Sequence, residues 1–280
     1  MSRKSFTGYL LVAPCVAFLA FAFLYPLLQV VWGSLFYGGF STDAYQRLLN
    51  VSVYRQVFAI TFEIALTSTA ICIVLGYVVA YYIASTEGVL KKTLTYCVII
   101  TLVLNVLVRN YVWILLLQRN GPIFKLFGLL GYPVETHDLL HTRGAVLLGM
   151  VSTLLPYMIL STLSSLQSIS GVLQQSSASL GSGPFRTFRK VILPLSLPGA
   201  AAGGLIVFMI SVGFYITPAL LGGRRDLMIS NVISFNVHET LNWKLAFALG
   251  SILLVCTVLI YSIYARWLNS RLSSQGRLAH

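Results

Sequence analysis

Long stretches of this chain carry no charged side chain at all. Residues 5–42, 64–86, 144–185, 191–223 and 245–265 contain no Asp, Glu, Lys or Arg, and 93–118 contains only Arg109. A helix needs about 20 mostly apolar residues to cross a bilayer. The runs therefore predict six transmembrane helices, near 9–37, 57–84, 93–118, 144–168, 195–220 and 245–267. Apolar residues occupy all faces of these segments without period-2 alternation, which argues against a transmembrane β-barrel. Hydrophobic residues make up 57% of the 280 and charged residues 9%. A soluble domain so apolar could not cover its own surface, and a disordered chain would be far more polar. The expected fold class is all-α and polytopic.

The first run has features of a signal peptide: Arg3 and Lys4 precede it, and Ala20-Phe21-Ala22 resembles a cleavage site. Its apolar stretch continues to Phe36, past a signal core, so it is read as a retained first helix. Cys15, Cys72, Cys97 and Cys256 all fall within predicted spans and read as small apolar side chains, with no disulfide. The net charge is +12, which in a soluble protein would suggest nucleic acid. Here it reads as topology. With the N-terminus inside, ten basic residues face in and eight face out, leaving +9 inside and +3 outside. The positive-inside rule thus leans slightly toward both termini inside, next to anionic lipid.

The segment between spans four and five, Ser170 to Pro194, is the most informative. Leu173, Ser177 and Leu180 fall at i, i+4 and i+7, one face of a short helix. Gly181 and Gly183 end that helix, and Pro184 prevents its return. Arg186, Arg189 and Lys190 mark a water-facing stretch before the next apolar run begins at Val191. A short surface helix followed by a basic turn suits docking to another molecule, although charge clusters are also ordinary in solvated loops.

This segment resembles a loop of the permease subunits of bacterial ABC importers, whose pattern is Glu-Ala-Ala, three residues, Gly, nine residues, Ile-x-Leu-Pro. Gln175-Ser176-Ser177 stands at the triplet, Gly181 follows three residues later, and Val191-Ile192-Leu193-Pro194 follows nine later. The spacing matches in full; Gln replaces Glu, Ser-Ser replaces Ala-Ala and Val replaces the first Ile. Leu10 to Phe36 with Tyr25-Pro26, Leu155 to Leu160, and Phe214 to Gly223 resemble spans one, four and five of the spermidine/putrescine-type permease group. That group often has a proline after the run that ends here at Leu160, where this chain has Ser161.

The resemblance implies a type I ABC importer transmembrane fold, with six helices, both termini cytoplasmic, in the bacterial inner membrane. It implies one permease domain over 1–280, with 170–194 as its cytoplasmic coupling loop. Leu173, Gln175, Ser176, Ser177, Leu180, Gly181 and Pro194 would form the element that meets an ATPase. The implied partners are a second permease subunit (a paralogue or an identical copy), two ATPase subunits and a periplasmic substrate-binding protein. ATP and Mg would sit on the ATPase, with no cofactor on this chain. The group also suggests a polyamine or related amine-bearing solute.

Charged groups inside spans usually face a cavity or a partner. Arg109 lies ten residues before Arg119, about 15 Å below the outer end at helical rise. Glu63, eight residues after Arg55, lies nearer that surface. Both are pathway candidates, and an Arg109–Glu63 pair or an Arg109 bonded to backbone carbonyls is the structural alternative. Tyr111, Trp113, Tyr157, Phe214 and Tyr215 are aromatics at similar depths that line a pathway or pack the core. Pro156 and Pro218 are expected to kink spans four and five. A dication would call for acids, yet the spans offer only Glu63, and Arg109 better suits a carboxylate.

No Gly-Lys pair exists, so the chain has no P-loop and any ATP must be hydrolysed elsewhere. That leaves a stand-alone secondary transporter or channel as the rival class, although no repeat relates the two halves. A membrane enzyme would need a nucleophile or metal constellation. The nearest approach, His137 and His141 beside Glu135 and Asp138, lacks a specified third ligand and reads as a helix start in an outer loop.

Overall fold

The computed structural model describes residues 3–37, 39–119, 121–129 and 139–276. Among them the regular structure is helical: α1 (Arg3–Phe36), α2 (Asp43–Asn50), α3 (Ser52–Ser85), α4 (Gly88–Val103), α5 (Val106–Leu117), α6 (Pro122–Leu129), α7 (Arg143–Gln167), α8 (Gly171–Ser179), α9 (Pro184–Thr187), α10 (Leu193–Val212), α11 (Ile216–Leu221), α12 (Ile229–His238) and α13 (Trp243–Gly276). Helices satisfy every backbone group within the segment, which hydrocarbon demands. Among the described residues five continuous helical segments are long and apolar enough to span a membrane, and Gly88–Val103 with Val106–Lys125 meets the same requirement only as a bent pair counted as one span.

Two compact units form. One comprises the chain up to Arg55 together with Val232–Ile260. In it, Gly33 lies so close to α13 that a Cβ there would meet the Phe247 ring at 2.7 Å. The Tyr45 hydroxyl of α2 lies 2.7 Å from Ser34 Oγ and 2.8 Å from Ser251 Oγ.

The other unit comprises Gln56–Asn231 with the end of α13, and α7 is its axis. Met150, Leu154 and Met158 of α7 are fully buried, with Ile64 of α3 and Val207 of α10. The α7–α10 seam is built from small residues four apart. A Cβ on Gly199 would lie 2.2 Å from Ser165 Cβ, and one on Gly203 would lie 2.9 Å from Ser161 Cβ. Small-xxx-small spacing of this kind lets helix backbones approach where lipid supplies no hydrophobic drive. Ser161 also donates a hydrogen bond to the Gly199 carbonyl at 3.0 Å. The serine that stands where the group often has proline therefore has a structural role of its own.

Two expected spans differ from the structure. The 93–118 segment is not one helix: it breaks after Val103, and the halves bend by 97°. Asn105 accounts for the break, because its side chain accepts the Leu107 N–H at 2.8 Å and so caps α5. Counting depth for Arg109 along one straight helix therefore fails. The fifth span begins at Pro184, ends at Val212 and does not reach 220. Pro184 sits at a helix start, where its missing N–H is no loss, so Arg186, Arg189 and Lys190 ride the first turns of the span rather than a free loop. Pro218 belongs to the separate α11. It has no N–H for the Phe214 carbonyl, which the Ser230 hydroxyl takes at 2.5 Å instead. Pro156, by contrast, stands inside an unbroken α7.

Candidate functional site

The loop between the fourth and fifth spans starts where the Ser170 hydroxyl accepts the Val172 N–H at 3.3 Å. Helix α8 ends in a left-handed turn at Gly181, φ +77°. Ser182 N–H bonds back to the Ser177 carbonyl at 3.1 Å, the six-to-one bond of a Schellman cap. Nothing crowds Gly181, so its requirement for glycine comes from the backbone alone. The chain then re-enters the membrane through α9 and a π-turn, Phe188–Ile192, that runs into α10. Pro194 lies in the first turn of α10.

The loop is anchored at one end only. Phe188 sets its ring edge against Tyr81, with centroids 5.0 Å apart. Ser177 Oγ lies 2.9 Å from Thr187 Oγ1, which ties α8 to the re-entering strand of chain. Everything beyond is open: Leu180 is 86% exposed, Phe185 75% and Leu173 48%, and Gln175 and Ser176 are exposed as well. Leu173, Ser177 and Leu180 thus do not act as one face. Ser177 turns inward, and Leu180 lies past the end of α8.

Around the broken span, the expected pathway residues separate by role. Arg109 does not pair with Glu63. Its guanidinium donates to the Ser152 carbonyl at 3.2 Å and to the Thr101 carbonyl. Both acceptors are orphans. Ser152 lies four residues before Pro156, which has no N–H to offer it, and Thr101 lies four before Asn105, where α4 has already ended. Trp113, one turn further along α5, donates from Nε1 to Ser152 Oγ at 2.9 Å. Arg109 and Trp113 therefore pin both halves of the broken span to one residue of α7. Phe214 packs against the core, and Tyr215 lends its carbonyl to Asn231 Nδ2 at 3.0 Å. Tyr111, Tyr157 and Tyr215 expose their side chains, at 57%, 39% and 45%.

Three groups in this unit went unread in the sequence. Asn110 is fully buried, and its Oδ1 accepts from the Thr217 hydroxyl at 3.0 Å. Arg143, at the start of α7, contacts Glu63 at 2.5 Å and Asp226 at 3.3 Å. Asp226 is 7% exposed. These pairs join residues 80 or more positions apart, and no local pattern announces them. Of the Glu135–His141 pattern, Glu135, His137 and Asp138 lie outside the described residues; His141 Nδ1 lies 3.3 Å from the Gly222 carbonyl. Among the described residues all four cysteines are free thiols.

Residues 73–274 match the family model described as binding-protein-dependent transport system inner membrane component. The chain belongs to this family. The permease is 30% identical to the spermidine/putrescine transport system permease protein PotB of Escherichia coli (strain K12) over 233 residues, covering 83% of this chain and 84% of that protein. PotB of Haemophilus influenzae is 31% identical over 84% of this chain and 82% of its own length. A solved bacterial ABC transporter involved in import of the acidic polysaccharide alginate has the same fold, with TM-score 0.83 at 14% identity and 96% of both chains covered. The MetNI methionine ABC transporter aligns with TM-score 0.60 at 18% identity, over 78% of this chain and 94% of that one. The protein is a multi-pass transmembrane subunit of a binding-protein-dependent importer with the type I fold, and the stand-alone transporter or channel falls away as a rival.

Proposed function

We propose that the permease forms half of an inner-membrane pathway for a polyamine or related amine-bearing solute. A periplasmic binding protein delivers the solute, and two partner ATPase subunits, which hold the ATP and Mg, drive its transfer. A second permease subunit, a paralogue rather than an identical copy, supplies the other half. Both termini and the 170–194 loop face the cytoplasm, and this loop transmits the ATPase stroke. The observation that carries the reading is the exposure of Leu173 on α8, Leu180 at its glycine end and Phe185 on α9, in a segment anchored through Ser177 and Phe188. Apolar side chains so placed gain only when a partner covers them.

The polyamine reading draws support from the surroundings of Arg109 and from exposed aromatic rings. Arg109 directs its two terminal nitrogens to carbonyls, which favours a structural role over binding an anionic solute. The exposed rings of Tyr111, Tyr157 and Tyr215 suit an ammonium group, which is drawn to aromatic faces within about 6 Å. The test is Leu180→Arg beside Gly181→Asp. Both variants should reach the membrane at wild-type level yet lose co-purification of the ATPase and solute-stimulated ATP hydrolysis. Normal coupling in both would refute the docking role. Labelled putrescine or spermidine uptake by the intact system tests the solute, and uptake indifferent to excess polyamine would refute that part alone.

A further inference from the structure

A cavity of about 570 Å³ lies at the root of the loop, and nothing in the proposed cycle uses it. Tyr81 and Ser85 line it from the last turn of α3, Lys91 from the first turn of α4, and Gln167 from the end of α7. Ala84 of α3, Leu166 of α7, Ile169 just before the loop and Ile192 near its far end complete it. Its size lies within the range of small-ligand sites, about 300–1,000 Å³.

The lining is one-sided in charge. Lys91 is its sole ionised residue, and among the described residues no carboxylate pairs with it. Gln167 and Tyr81 add neutral donors. Lys92, Arg189 and Lys190 are exposed close by in sequence. Such a pocket prefers an anion with several acceptor oxygens. Depth narrows the choice further, because the walls are the ends of spanning helices, so the cavity opens at the membrane boundary. Tyr82, Val89 and Leu90, next to the lining residues, expose apolar surface, at 59%, 79% and 50%. A phosphate group with acyl chains attached would satisfy both features, and basic pockets between helices on the cytoplasmic side take anionic head groups.

We propose that this cavity holds the phosphate head group of an anionic phospholipid, which braces both roots of the coupling loop. The proposal rests on the cytoplasmic placement of that loop. It is tested on the whole transporter in nanodiscs of phosphatidylcholine with graded phosphatidylglycerol, with retained lipid read by native mass spectrometry. The wild type should keep phosphatidylglycerol selectively. Lys91→Gln should weaken retention about fivefold, the effect of one juxtamembrane basic residue, and Lys91→Arg should keep it. Ala84→Leu, which narrows the cavity with Lys91 intact, should also release the lipid, and it serves if Lys91→Gln fails to assemble. Lys244→Gln, in the other compact unit, should change nothing.

Equal retention by wild type, Lys91→Gln and Ala84→Leu would overturn the proposal, as would an equal loss in Lys244→Gln. A soluble source is separated by adding glycerol 3-phosphate to discs of phosphatidylcholine alone. If it stabilises the wild type against heat but not Lys91→Gln, the occupant is a free phosphate and the lipid assignment falls. Retention is read by mass, so it stands or falls independently of whether the ATPase docks on the loop.

Discussion

The seam between α7 and α10 and the loop that joins them are continuous in the chain, yet they are built on opposite rules. In the seam, Gly199 and Gly203 face Ser165 and Ser161 with no room for a methyl group, and the contact closes on itself. In the loop, α8 has one hydroxyl contact to its neighbour, Ser177 to Thr187, and leaves Leu180 and Phe185 in the open. A region that specifies the fold spends its small residues on close approach. A region that meets a partner leaves large residues uncovered and relies on a glycine turn to hold their direction. Substitutions in the seam should therefore abolish the protein, and those in the loop should abolish only its coupling.

The largest effect is expected from Gly199→Leu. Its Cβ alone would overlap Ser165, and overpacking of this kind typically destabilises by about 1–3 kcal/mol or more. Most of the protein should be lost from the membrane, as read by yield and protease resistance; a normal yield would mean that the seam is looser than the structure has it. Next comes Arg109→Leu, which orphans two partly buried carbonyls, where the cost of about 1–3 kcal/mol for a fully buried group is an upper bound for each. Thermal melting should fall clearly, and Arg109→Lys should recover only part, since an ammonium lacks the planar fork that reaches both acceptors. Full activity with an unchanged melting point in Arg109→Leu would contradict the structural role. Smallest is Ser177→Ala, which removes one partly buried hydrogen bond worth about 0.5–1.5 kcal/mol. It should quicken proteolysis between 170 and 187 while leaving the melting point of the whole chain nearly unchanged.

How much of this was legible in the sequence followed the range of the interaction. The spans could be read because hydropathy sums over about 20 neighbouring residues. Gly181 could be read because a helix stop is local, and the structure gives it φ +77°. For Arg109 the carbonyl-bonded alternative was legible but its partners were not, because they arise from two separate events, the break before Asn105 and the missing N–H of Pro156, and neither is visible from position 109. The Arg143 contacts with Glu63 and Asp226 were invisible for the same reason. Charge counting also treated Arg186, Arg189 and Lys190 as loop residues, whereas they begin the fifth span, which shows that a basic residue does not by itself end a helix.

The central claim is that the open residues of the loop meet the ATPase. A photo-crosslinking amino acid in place of Leu180, in the transporter within native membranes, tests it directly. Leu49 of α2, 70% exposed in the other compact unit, is the control position. If the loop is the docking element, irradiation will join position 180 to an ATPase subunit and position 49 will give no such adduct. No ATPase adduct at 180, or one of equal strength at 49, would contradict it.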